Sequence, residues 1–156
     1  MPVEVSGTGI LEAVIDESGE LWRGDDFADL AEFVTDFEPE GHEVERVVEA
    51  VCGPCGGRVF RVLADDGNGA RRECAGCGGA SFIADSGEYW DEQNAEYCGC
   101  PCGGEEFNLG VGFSLYEEGD VRWISIGLRC VADGTLGVYA GWKVGYGPSA
   151  HLLNQV

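Results

Sequence analysis

The sequence predicts a mainly β (α+β) chain: an acidic N-terminal α/β cap over residues 1–50, then two tandem small β modules, residues 51–97 and 98–156. Three observations carry this. Eight cysteines fall in close groups, and Gly-Gly follows Cys55, Cys77 and Cys102. Short runs suited to strands separate those groups. Fifteen acidic residues crowd into the first 50 positions against only Arg23 and Arg46, in a chain of net charge −20. With 26 glycines and few long apolar runs, the chain suits thin modules held by staples better than one thick core.

In the cap, Ile10 to Ile15 and Glu20-Leu-Trp22 flank Asp-Glu-Ser-Gly and read as a hairpin. Asp25 or Asp26 can cap a helix on which Phe27, Leu30, Ala31, Val34 and Phe37 form one apolar face. Glu38-Pro-Glu-Gly41 ends it, and the β-branched stretch Val44 to Val51 reads as a strand.

The second segment alternates turns and strands. Cys52-Gly-Pro-Cys55 is a tight turn, Arg58 to Leu63 a strand, and Ala64 to Gly69 a turn. Ala70 to Glu73 is a strand entering Cys74-Ala-Gly-Cys77, and Ala80 to Ala84 a third strand. Asp85 and Glu88 have capping-box spacing, which predicts a short helix over Glu88 to Tyr97 anchored by Tyr89 and Trp90. The third segment repeats the plan. Cys100-Pro-Cys102 matches the first turn with one residue fewer. Phe107, Leu109, Val111, Phe113 and Leu115 alternate along a strand, and Val121 to Arg129 returns to Cys130-Val-Ala-Asp133. Leu136 to Tyr146 is a third strand, and Pro148-Ser149 opens a short tail helix. This parallel spacing predicts an internal repeat.

Met1 to Gly9 has neither the basic start nor the apolar core of a signal peptide, and no run is long enough to span a membrane. The chain therefore reads as cytoplasmic, where thiols stay reduced, and its cysteine pairs point to metal rather than disulfides. Thiolates in Cys-x2-Cys turns suit zinc, which takes four tetrahedral ligands with sulfur at about 2.3 Å. Two ions are expected. Cys52, Cys55, Cys74 and Cys77 form a complete set. In the second set Cys100, Cys102 and Cys130 are expected members, and either Cys98 or Asp133 completes it. Cys98 is favoured there because thiolate is the softer ligand.

Residues 50–85 resemble the zinc-ribbon family, and residues 98–142 do so less closely. The resemblance implies a structural metal held between two knuckles beside a three-stranded sheet, hence two zinc-ribbon-like modules behind the cap. It implies no activity. A rubredoxin-type iron site, a carrier of electrons, is the alternative for such knuckles.

No catalytic set stands out. His42 and His151 have no nucleophile or acid at catalytic spacing, no Gly-rich loop opens a helix after a strand, and Asp85 to Glu92 lacks calcium-loop spacing. A metal-dependent enzyme would need Asp133 as a weak, displaceable ligand. The strong negative charge opposes phosphate binding overall. Only Arg58, Arg61, Arg71 and Arg72 offer a local basic face for nucleic acid. The leading expectation is a non-enzymatic zinc-binding interaction module, its acidic cap engaging a basic protein partner in an adaptor, regulatory or immunity-type role.

Overall fold

The computed structural model describes residues 22–65, 69–88 and 90–156. The expected hairpin from Ile10 therefore lies outside the described residues, apart from Trp22. The fold is mainly β. Among the described residues there is one α-helix, α1 (Phe27–Phe37), and one antiparallel sheet. Its strands are β1 (Arg46–Glu49), β2 (Phe60–Asp65), β3 (Ala70–Cys74), β4 (Ala80–Phe82), β5 (Ala95–Tyr97), β6 (Phe107–Leu115), β7 (Val121–Cys130) and β8 (Leu136–Lys143).

The strand order is β4-β3-β2-β6-β7-β8, with β5 beside β2 and β1 beside β6. β2 and β6 meet at a single pair, Phe60 opposite Phe107. Phe60 also faces Cys74 on β3, and Phe107 faces Cys130 on β7. One row thus crosses four strands: Cys74, Phe60, Phe107, Cys130. Because directly paired residues share a sheet face, all four side chains point the same way. Three inter-strand steps separate the two cysteines by about 14 Å.

The two faces of β6 and β7 are built differently. On one, Phe107, Leu109, Val111 and Phe113 are fully buried beside Ile124, Ile126 and Leu128. They form one core with Val62, Ala70 and Ile83 of the first cysteine segment and with Leu152 of the tail. On the other, Gly110, Gly112 and Gly127 leave a trough that α1 fills. A Cβ on Gly112 would stand 2.6 Å from Val34 Cγ1, and one on Gly127 would run into Val34 as well. Leu30 and Val34 are fully buried there, with Val44 and Leu136 completing the layer.

α1 begins where Asp26, in extended backbone, accepts the Asp29 amide at 3.1 Å. It ends at Glu38, which turns left-handed ahead of Pro39. Phe37, expected on the apolar face, is 49% exposed because the helix runs past the trough in its last turn.

Two further expectations give way. Among the described residues between 88 and 97 there is no α-helix. A 3-10 turn spans Ser86–Glu88, and Asp91 then accepts from the Gln93 amide and the Asn94 side chain, setting a turn into β5. Tyr97 pairs with Leu63, so the segment satisfies the free edge of β2, a gain that local helix propensity does not match. Asp85 does not cap a helix with its side chain; it accepts from Trp142 Nε1 and Tyr146 OH, each at 3.0 Å. The tail is a 3-10 helix, Ala150–Asn154, held where Ala84 N donates to the Gln155 carbonyl at 2.7 Å.

The glycine trough makes a direct prediction. Gly112→Ala should push α1 off the sheet and destabilise the chain by about 1–3 kcal/mol, the usual cost of overpacking a filled core. Urea unfolding measures it; an unchanged midpoint would show that the helix does not seat in the trough as described.

Candidate metal centres

Two groups of four ligand atoms converge, and within each group the atoms lie within 4.8 Å of one another. The first is Cys52, Cys55, Cys74 and Cys77. The second is Cys100, Cys102, Cys130 and Asp133. Both groups could hold metal. In the first, Cys52 Sγ is 3.6 Å from Cys77 Sγ, and Cys55 Sγ is 3.5 Å from Cys74 Sγ. A tetrahedron of sulfurs at about 2.3 Å from a central ion has edges of about 3.8 Å. In the second, Cys102 Sγ and Cys130 Sγ are 3.6 Å apart, as are Cys100 Sγ and Asp133 Oδ1.

The knuckles explain the convergence. Cys52 N donates to Gly57 O at 2.8 Å, and Gly56 N donates back to Cys52 O at 2.7 Å. Cys74 repeats this with Gly79 and Gly78, and Cys130 with Thr135 and Gly134. At Cys100 the ring is one residue tighter: its amide donates to Gly104 O, and Gly103 N donates to Cys100 O, both at 2.8 Å. The turn residues Gly56, Gly78, Gly103 and Gly134 all have positive φ, between 74° and 97°, which glycine adopts without strain. The shortened third knuckle therefore still closes.

The second position is closed in a second way. A Cβ on Gly57 would lie 3.2 Å from Cys55 Sγ, and one on Gly104 would lie 3.0 Å from Cys130 Sγ. These glycines let backbone pass beside sulfur, and Gly104 N approaches Cys102 Sγ at 3.4 Å. Such amides favour thiolate. The Cys77 amide is the main reason that the Cys74 thiol falls to about 6. For Cys55 the Gly57 amide pulls the same way, but the neighbouring Cys74 and Cys52 sulfurs and burial outweigh it, pushing the thiol up to about 12. A cluster of sulfurs can shed its first proton easily and its later ones only against mutual repulsion, the situation that a divalent cation resolves.

The fourth corner of the second cluster is Asp133, where the sequence favoured Cys98. Asp133 sits three residues after Cys130, as Cys77 does after Cys74, and a Gly follows both. Its Oδ1 accepts the Thr135 amide at 2.9 Å, which above all holds its carboxyl down at about 2. Cys98 lies outside both groups. It packs against the main core, its amide donates to Val62 O at 2.7 Å, and burial alone lifts its thiol to about 11. No amide is turned toward its sulfur to favour the thiolate. The matched knuckle spacing in the sequence points to the Asp133 that converges here, where ligand softness favours Cys98.

The four arginines do not form one face. Arg61 and Arg71 share a sheet face with Glu73, whereas Arg72 projects from the opposite face and lies 4.8 Å over the Phe60 ring. Arg58 pairs with Glu49 at 3.4 Å, Arg61 with Glu106 at 3.3 Å, and Arg71 with Glu73 at 3.3 Å. His42 meets Arg122 at 3.0 Å and His151 is an exposed tail residue, both away from the clusters. No helix among the described residues is long and apolar enough to cross a membrane. No protein-family model, curated protein or solved structure gives a significant match to the chain.

The placement of Asp133 and Cys98 separates two substitutions. Cys98→Ala should leave two metal ions per chain, and Asp133→Ala should leave one. Native mass spectrometry counts them; loss of an ion from Cys98→Ala would return Cys98 to the ligand set.

Proposed function

We propose that the chain is a non-enzymatic protein-interaction module stabilised by two structural zinc ions, whose acidic cap engages a basic protein partner. The observation that carries the zinc reading is the pair of four-atom donor groups. Each group supplies the whole tetrahedral complement that zinc takes in structural sites, with no position left over for a reacting group. The donors belong to knuckles, which brace backbone rather than line a cavity. Zinc is favoured over iron for the second site because a carboxylate is an ordinary zinc ligand beside thiolates.

Further parts of the reading follow from the same elements. The cap, residues 1–50, acts as the recognition segment of a cytoplasmic protein; residues 51–97 and 98–156 are two ribbon-like modules derived from one repeated unit. Support for the repeat comes from registers: Cys52, Cys55, Cys74 and Cys77 correspond to Cys100, Cys102, Cys130 and Asp133, and each half aligns its aromatic, Phe60 or Phe107, opposite its third cysteine. The strand order β4-β3-β2-β6-β7-β8 reads outward from the centre in the same sequence on both sides.

Support for a basic partner comes from the cap surface. Asp25, Asp26, Glu32, Asp36, Glu38 and Glu40 are exposed, and none enters an ion pair among the described residues. Charge of one sign on one face steers association with the opposite sign. The nucleic-acid reading draws no such support, since Arg58, Arg61 and Arg71 already face carboxylates.

Two experiments test this. Purified chain should be colourless and carry two zinc ions; chelation should remove both and unfold it, because in such modules metal binding supplies the folding free energy. A red preparation, or a fully folded metal-free chain, would refute the zinc reading. Binding to a lysine- and arginine-rich protein surface should weaken at least tenfold when Glu32, Asp36, Glu38 and Glu40 become Gln, and should survive Arg71→Ala with Arg72→Ala. The reverse pattern on immobilised nucleic acid would favour the arginines instead.

A further inference from the structure

A cleft of about 690 Å³ lies away from both metal centres, lined by Asp85, Trp123, Gly141, Trp142, Lys143, Gly145 and Tyr146. Its size falls within the range of roughly 300–1,000 Å³ that small-ligand pockets occupy. Asp85 reaches it from the end of the first cysteine segment, and the other residues come from β7, β8 and the turn after β8.

The state of Asp85 is the informative feature. Trp142 Nε1 donates to its Oδ1 and Tyr146 OH to its Oδ2, both at 3.0 Å. Two neutral aromatic donors thus fix the carboxylate without neutralising it. Asp85 takes part in no ion pair among the described residues. Each carboxylate oxygen has a second lone pair, so the group can still accept two parallel bonds. Lys143 is exposed; it and its cross-strand partner Trp123 share one sheet face, opposite to that of Trp142, so the cleft wraps around the outer edge of β8. Trp123 flanks the cleft over Gly141, where a Cβ would come within 2.9 Å of the indole nitrogen.

A carboxylate set among aromatic rings is complementary to a planar cation. Guanidinium can form a bidentate pair with the carboxylate and stack on the rings, which an ammonium does less well. We propose that this cleft binds an arginine side chain presented by a protein partner. The proposal rests on the basic-partner reading above and gives it a specific contact: the cap supplies long-range attraction, and the cleft supplies the anchored residue.

The test uses the folded 156-residue chain as purified and two peptides, acetyl-Gly-Arg-Gly-amide and its citrulline counterpart, which is nearly isosteric but uncharged. Binding is read from the NMR indole signals of Trp123 and Trp142. The arginine peptide should shift these signals with an affinity at least tenfold above that of the citrulline peptide. Asp85→Asn, which retains an acceptor oxygen, should lose at least tenfold of the arginine affinity, and Lys143→Ser should raise it by removing a nearby positive charge. Equal affinity for the two peptides on the unaltered chain, or undiminished binding by Asp85→Asn, would overturn the proposal. Zinc counts and cap-variant binding come from separate samples, so a failed cap or zinc result leaves the cleft result readable, and the converse holds.

Discussion

Four sulfurs cannot be held 3.5 to 3.6 Å from their neighbours as thiolates without a cation between them. At an effective dielectric constant of 20, two unit charges at that spacing repel by roughly 5 kcal/mol. As thiols they would be neutral, brought together only by the closing of their knuckles. The convergence is thus intelligible as a metal-binding arrangement, and the remainder of the fold is organised around keeping it. Every knuckle closes its own backbone ring, and glycine at positive φ stands in each turn. Two strands then stop at cluster cysteines: β3 ends on Cys74 and β7 ends on Cys130.

The sheet transmits this order. Cys74 and Cys130 terminate one row whose centre is the Phe60–Phe107 pair, and these four residues belong to the shared core together with Cys52 and Cys100. Where β2 and β6 diverge beyond that pair, β5 takes the vacant edge of β2 and β1 that of β6. The apolar core then continues across the junction instead of splitting into one core per cysteine segment, because Val62 and Ile83 belong to the same cluster as Leu109 and Ile126. A shared layer of this kind eases the ordinary difficulty of small modules, whose cores are thin.

Much of this was legible in the sequence because it is written in local spacing. Knuckles are local, so Cys52, Cys55, Cys74 and Cys77 could be grouped without a structure. Alternation is local, so Phe107 to Phe113 could be assigned to a buried face. Asp25 or Asp26 and the Glu38-Pro-Glu-Gly41 stretch marked the ends of α1, and the structure assigns the cap to Asp26. What failed depended on partners distant in the chain. Tyr97 pairs with Leu63 rather than joining a helix, and Asp85 turns to Trp142 and Tyr146. No local pattern announces a contact made across 57 or 61 positions. The trough under α1 was hidden too: Gly110, Gly112 and Gly127 look like weak strand residues until the helix that requires them is in place.

The choice of a carboxylate at position 133 has a physical reason that ligand softness does not supply. A thiolate offers one ligand atom, whereas a carboxylate offers two. Asp133 turns Oδ1 toward Cys100 and the Thr135 amide, and Oδ2 toward Arg23 at 3.9 Å. Arg23 belongs to the segment that leads into α1, and that segment is stitched to the same knuckle. Gly24 N donates to Gly134 O at 2.9 Å, Leu136 N donates to Trp22 O at 2.7 Å, and Arg129 Nε donates to Gly24 O at 2.7 Å. The exposed Arg23–Asp133 pair adds little by itself; the backbone bonds around it position the entry to the helix. Asp133 therefore stands at a junction, one oxygen facing the cluster and the other facing the cap. A cysteine there could complete a cluster, as Cys77 does, but could not also meet Arg23. The departure from the four-cysteine pattern falls at a knuckle that is hydrogen-bonded to the segment leading into α1.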